Sequence, residues 1–175
     1  MDTSAHDAVQ ASYVLGRPDW GGAALRFEKV AVGGTFDRLH AGHRLLLAAT
    51  ALVTAGPVFI GVTADQLLAK KKGRELLQGY GERAQAAVRF VENVHPASTV
   101  VAGALVDPNI PPAASTDPDF DGIVVSEETI SGAEAINAER HRRGFDPLII
   151  VVVGLVKGKR DSSGKLSSTD LRLQA

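Results

Sequence analysis

The sequence contains no cysteine. That absence excludes disulfides and thiolate zinc sites, and it is compatible with a reducing compartment. An excess of one charge is also missing. Nineteen lysines and arginines stand against 20 aspartates and glutamates, for a formal net charge of -1. No global field therefore steers the chain to nucleic acid or to a membrane, and any anion binding must come from local groups. No apolar run approaches the length that spans a bilayer. Residues 1–26 lack the basic start and apolar core of a secretory signal. With Asp2, Asp7 and Asp19 against two arginines, they match a transit peptide poorly. They are expected to form a loosely ordered leader, docked through Trp20 or Tyr13, ahead of one domain over 27–175. The length and the 45% hydrophobic content suffice for a real core. A cytoplasmic location is the default expectation.

What is present alternates between two periods. "KVAVGG", "PVFIGV", "STVVAGAL", "GIVVS" and "PLIIVVVG" read as five short β-rich runs. Between them, "AGHRLLLAATALVTAG" reads as a helix stopped at Gly56-Pro57. "YGERAQAAVRFVENVH" reads as a helix with Ala87, Val91 and Val94 on one side, and "GAEAINAERHRRG" as one closed by Gly144. "TADQLLAK" reads as one or two helical turns capped by Thr63. "KKKGRELLQG" and "VDPNIPPAASTDPDF" read as loops. Continuous apolar strands separated by helices predict an α/β fold, a doubly wound five-stranded parallel sheet with ligands at the carboxyl ends of its strands.

One such end carries "VGGTFDRLHAGH", residues 32–43. Gly33 and Gly34 permit close backbone approach, Thr35 adds a hydroxyl, and a helix predicted to start near Ala41 offers unpaired N–H groups and a positive dipole end. That is an anion site in outline. His40 and His43, three apart at the helix start, face the same way. The bland alternative is that the pair merely caps the helix or binds a structural metal. Neither the Walker pattern nor the dinucleotide GxGxxG is present.

These residues match a known pattern. "GGTFDRLHAGH" carries the HxGH signature of the nucleotidylyltransferase superfamily, and "KLSSTDLR" near the end is similar to its second signature. "GVTADQLLAKKKG", "QGYGER", "VDPN", "VVSEETISGAEAINAERHRRG" and "LIIVVV" resemble the eukaryotic-type phosphopantetheine adenylyltransferases, most of all the stand-alone plant and algal ones. The resemblance runs from about residue 28 to 172. It implies a Rossmann-like nucleotidylyltransferase fold and transfer of AMP from ATP to 4'-phosphopantetheine, giving dephospho-CoA and pyrophosphate in coenzyme A biosynthesis. The acceptor phosphate attacks the α-phosphorus directly, so no protein nucleophile is needed, and catalysis rests on positioning and charge stabilisation.

By that resemblance, His43 stabilises the transition state and His40 helps to hold the triphosphate. Gly34, Thr35 and Phe36 touch the nucleotide, and Thr35 and Phe36 also match positions touching phosphopantetheine. Ser167, Ser168 and Thr169 face the β- and γ-phosphates. Mg²⁺ comes with ATP, held mainly by phosphate and water, and no protein side chain is expected to ligate it. In the lysine loop Lys71 is the best match to a phosphate-binding lysine, with Lys70 beside it and Lys72 not separable by alignment. The bland reading of three lysines is a solvated face. Asp107 belongs to the acceptor side. Ser126, Thr129 and Asn137 match the adenine and ribose side; the bland reading is capping, since Ser131 or Thr129 before a helix needs no ligand. Arg140, Arg142 and Arg143 read as an exposed helix end. The implied partners are the two small-molecule substrates and other enzymes of coenzyme A synthesis, with no nucleic acid and no membrane.

The chain departs from its relatives in three places. "DPNIPP" puts Asn109 where an aromatic is usual, "QGYGER" carries Gly79 and Gly81, and Gly132-Ala133 follows "EETIS" in place of two glycines. The competing readings are a sister nucleotidylyltransferase with another acceptor and a catalytically silent nucleotide-binding subunit.

Overall fold

The computed structural model describes residues 13–15, 25–71, 73–109 and 112–154. The five apolar runs form β2 (Val30–Gly34), β3 (Val58–Thr63), β4 (Val100–Leu105), β5 (Gly122–Ser126) and β6 (Ile149–Val153). All five are parallel, in the order β6-β5-β2-β3-β4. A short strand, β1 (Tyr13–Leu15), lies within the stretch read as a leader and adds an antiparallel edge to β6.

Alternate residues of each strand feed two separate cores, as the period of two requires. On one face Val30, Val32, Val58, Ile60, Val62, Val124 and Val151 pack against α1 (Ala41–Val53) and α2 (Tyr80–Val94). On the other, Ala31, Ile123, Val125, Ile150 and Val152 form a core with α3 (Ala113–Thr116) and α4 (Ile130–Arg142). Both β3 and β5 pair with β2, so the chain winds one way from β2 through β4 and the other way from β5 to β6. The carboxyl ends of β2 and β5 therefore mark the topological switch point, where doubly wound folds take ligands.

Local details correct four expectations. Thr63 ends β3 rather than capping a helix, because its backbone pairs in register with Leu105 of β4; the 3₁₀ turn Asp65–Leu68 that follows is capped by Ala64. The segment between β4 and β5 is not loop throughout, since α3 forms inside it. The buried stripe of α2 is Arg83, Ala84, Ala87 and Val91, at helical spacing, whereas Val94 is 41% exposed at the helix end. Arg140 is not on an exposed helix end but 1% exposed. Its guanidinium donates to the carbonyls of Ala114, Asp117, Pro118, Phe120 and Asp146 at 2.7–3.2 Å, which staples α3 and the chain after it to α4. Arg142 and Arg143 do lie outside, both paired with Glu139. No helix among the described residues is long and apolar enough to cross a membrane.

Candidate active site

The turn after β2 is built on a close approach. The Phe36 ring folds back under Gly34, where a Cβ would stand 3.0 Å from it, so any larger residue would have to push the ring aside by a few tenths of an ångström. Phe36 is fully buried and has a positive φ of 54°, as Arg38 has of 45°. Such angles on bulky residues cost roughly 1–3 kcal/mol each and persist only where neighbours hold them. Here the neighbours are visible. The backbone N–H of Gln78 donates to Asp37 Oδ1 at 3.0 Å, and Gln78 Oε1 accepts from the Arg38 N–H at 2.7 Å.

At the start of α1 the two histidines stack, with ring centroids 3.9 Å apart and planes 18° from parallel. His40 is the N-cap. Its Nδ1 accepts from the N–H groups of Gly42 (3.1 Å) and His43 (3.4 Å). A neutral His40 that accepts at Nδ1 carries its proton on Nε2, which makes that edge of the ring a donor. The cap leaves the Nε2 edge of the ring as a donor, so capping does not exclude ligand binding there. His43 also touches the Phe36 ring at 5.5 Å, and its Nδ1 is buried with no hydrogen-bond partner among the described residues. Burial chiefly, then the neighbouring His40 and, more weakly, the Lys71 charge push the His43 pKa down to about 3, with Asp37 opposing them. His43 is therefore neutral at physiological pH, a hydrogen-bond donor without a fixed charge.

Sequence reasoning missed Arg83. Its side chain is fully buried, and the guanidinium donates to the carbonyls of Thr35 (2.6 Å), Thr63 (2.8 Å) and Gln78 (2.9 Å) and to Asp65 Oδ1 (2.6 Å). One group thus joins the ends of β2 and β3 to both ends of the lysine loop. The available signal was its place on the i, i+4, i+8 stripe with Ala87 and Val91, where a charge is unexpected.

An apolar cleft of about 640 Å³ opens beside the turn. Its floor is a row of small residues. Gly33 of β2 and Gly61 of β3 stand in register in the lining, with Leu105 beside Gly61, whereas Gly103 of β4, next in register, is covered by the Phe59 ring and lies outside the lining. Gly34, Asp107, Asn109, Thr129 and Gly132 also line the cleft. Gly34 and Asp107 from the expected site thus meet Thr129 in one cavity. In the loop, Asp107 Oδ1 accepts from both the N–H and the side-chain amide of Asn109.

The remaining expected residues are placed as follows. Lys70 and Lys71 are exposed, and it is Lys71 whose charge reaches His43. Ser126 and Thr129 form a reciprocal cap between β5 and α4. Asn137 is engaged with the backbone of Leu148 through both its amide nitrogen (3.0 Å) and its oxygen (2.8 Å), away from the cleft lining. Phe36, being buried, supports the turn from beneath. Lys72, Ser167, Ser168 and Thr169 lie outside the described residues.

A parallel sheet wound both ways from β2, with a glycine turn and paired imidazoles at its switch point, defines a doubly wound α/β protein with its candidate ligand site at the carboxyl ends of the strands. A profile of the cytidylyltransferase-like family matches residues 31–174, and the chain belongs to that family. Within it, the chain is 43% identical over 148 residues to the phosphopantetheine adenylyltransferase of Methanopyrus kandleri, covering 84% of this chain and 90% of that protein. It is 37% identical over 151 residues to the phosphopantetheine adenylyltransferase of Saccharomyces cerevisiae, covering 85% of this chain. It spans about half (49%) of the length of that yeast relative. Among solved structures, a protein of unknown function from Archaeoglobus fulgidus superposes with a TM-score of 0.60 at 29% identity, covering 79% of this chain and 99% of that one.

Proposed function

We propose that this chain transfers AMP from ATP to 4'-phosphopantetheine, forming dephospho-CoA and pyrophosphate in coenzyme A biosynthesis. The observation that carries the proposal is the neutral, half-buried His43, stacked on a capping His40 at the helix start that follows Gly33 and Gly34, two residues of the cleft lining. In this reading an acceptor phosphate oxygen attacks the α-phosphorus, the bond to the β-phosphate oxygen breaks, and pyrophosphate leaves with the electron pair. A neutral imidazole suits the task. It donates a hydrogen bond to the α-phosphate, and the growing negative charge strengthens that bond in the transition state.

His40, through Nε2–H, would hold the triphosphate together with Gly34 and Thr35. Ser167, Ser168 and Thr169 would hold its far end, with Ser126, Thr129 and Asn137 on the nucleoside side. Lys71, with Lys70 next to it, would take the acceptor phosphate. The apolar cleft past Asp107 suits the pantetheine arm, an extended chain with a geminal dimethyl group and two amides. The donors at the turn are imidazole, ammonium and backbone N–H, a set made for phosphate oxygens rather than for a bare cation. Mg²⁺ would therefore enter with ATP, screening its phosphates. The cytoplasm is the proposed compartment, and the other enzymes of the same synthesis are the proposed protein partners.

The test is incubation with 4'-phosphopantetheine, ATP and Mg²⁺, with mass detection of dephospho-CoA and with CTP in a parallel arm. His43→Ala should fold and lose about 10²–10³ in kcat, the usual effect of removing one charge-stabilising donor. No product from the unaltered protein refutes the assignment. Product from CTP alone, or from a different phosphorylated acceptor, transfers it to a sister activity.

A further inference from the structure

We propose that Arg83 is a positioning residue of this site: it ties both ends of the loop carrying Lys71 to the carboxyl ends of β2 and β3, and so sets where that lysine stands relative to the glycine turn. The inference rests on the function proposed above, in which Lys71 meets the acceptor phosphate. The loop between β3 and α2 runs from Ala64 to Gly79. At its start Asp65 accepts from the Arg83 guanidinium at 2.6 Å, and at its end the Gln78 carbonyl accepts from Arg83 Nε at 2.9 Å. The same guanidinium holds the Thr35 carbonyl at 2.6 Å, one residue before the strained Phe36. The two loop ends and the phosphate turn therefore share one rigid planar fork.

Further bonds reinforce the arrangement. Asp65 Oδ2 accepts from the Tyr80 N–H at 3.3 Å, Gln78 accepts from Arg38, and the Arg38 guanidinium donates to the Leu76 carbonyl at 3.2 Å. Asp65 is 63% exposed whereas Arg83 is fully buried, so Asp65 can be removed without opening the core. A loop merely decorating the surface does not need a buried arginine at both its ends. A loop that must deliver a cation to within hydrogen-bond reach of a phosphate does, because a displacement of about 1 Å can cost 10²-fold in rate.

The experiment is a double-mutant cycle between Asp65→Ala and Lys71→Ala, with Arg83→Lys as a third variant. Thermal denaturation checks that each is folded. Asp65→Ala should raise the KM for 4'-phosphopantetheine roughly tenfold, the weight of one charge-assisted contact, and leave the KM for ATP within about twofold. In the Lys71→Ala background the same substitution should add almost nothing, because both changes remove one contact. Arg83→Lys, if folded, should behave as Asp65→Ala does, since a lysine cannot span both loop ends. Additive effects on the acceptor KM, or equal effects on ATP and acceptor, overturn the inference.

A second readout needs no turnover. The His43 imidazole, flanked by His40, Asp37 and Lys71, is titrated by NMR. Its midpoint should rise in Asp65→Ala and in Lys71→Ala, with no further rise in the double variant. An unchanged midpoint in Asp65→Ala, beside a raised one in Lys71→Ala, also overturns the inference. If the unaltered protein forms no dephospho-CoA, the function proposal fails while this titration still decides the role of Arg83.

Discussion

Replacing His43 by glutamine should remove a defined part of the acid sensitivity of the protein. The imidazole titrates at about 3 in the folded chain, against 6.5 as the ordinary value, mainly because burial disfavours the cation. The unfolded state thus binds a proton between those values that the native state refuses, and stability must fall as pH drops through that window. Above about pH 7 the group contributes nothing. By pH 5 an unfolded imidazole is almost fully protonated and a native one almost fully neutral, a difference of ~2 kcal/mol. The carboxylates held low do not blur this reading. Asp65 is lowered by the Arg83 hydrogen bond, Asp117 by Lys29, and Glu139 by Arg142 and Arg143, and all three lose their contributions only when pH falls below the usual carboxylate range. The assay is urea unfolding of the parent and His43→Gln at pH 7.5, 6.5, 5.5 and 5.0. The parent should lose ~2 kcal/mol more than the variant between the first and last of these values. Identical pH slopes would show that His43 is not buried neutral, and the argument for its role as an uncharged donor would fall with it.

Three further outcomes test the acceptor side. Lys71→Ala should weaken 4'-phosphopantetheine by about 10–100-fold with little effect on ATP, and Lys70→Ala should stay near the parent; equal small effects on KM would return the loop to a solvated face. Asn109→Tyr keeps the main-chain N–H bonded to Asp107 at 2.8 Å and puts a ring on the cleft wall. It should lower the acceptor KM by the equivalent of ~0.5–1.5 kcal/mol with kcat unchanged, and a KM that is equal or worse refutes it. Gly132→Ala should raise Tm, because alanine is better than glycine in a helix by ~1 kcal/mol. Its methyl meets no atom within 4 Å among the described residues and adds bulk to a residue of the cleft lining, so the acceptor KM should rise while that for ATP does not. A stabilised variant with an unchanged acceptor KM would show that the arm lies elsewhere.

Much of this protein is written locally. Strand and helix periods sit in runs of five to fifteen residues, and all five parallel strands emerge where "KVAVGG", "PVFIGV", "STVVAGAL", "GIVVS" and "PLIIVVVG" stand. The turn "GGTFDRLHAGH" is legible for the same reason. Glycine, hydroxyl and paired imidazoles lie within one strand end and one helical turn, so spacing alone brings them together. Even the capping role of His40 could be weighed in advance.

What spacing could not supply are the contacts that close over distance. Arg83 reaches Thr35, 48 residues away, and Arg140 reaches Ala114, 26 residues away. For Arg83 the one local sign is its place on the buried stripe with Ala87 and Val91; nothing near either arginine in the sequence names the distant carbonyls that share its charge. The cleft floor is likewise a matter of register. Gly33 and Gly61 are ordinary strand glycines until parallel pairing of β2 with β3 sets them side by side in the cleft lining. The low pKa of His43 depends on a core, a stacked ring and a lysine from another loop. The sequence determined the elements and which groups cluster at the turn, because these depend on neighbours in the chain. The tertiary structure decided which cations are structural, how deep the cleft runs and which histidine stays neutral, because those depend on desolvation and on partners that only folding brings within reach.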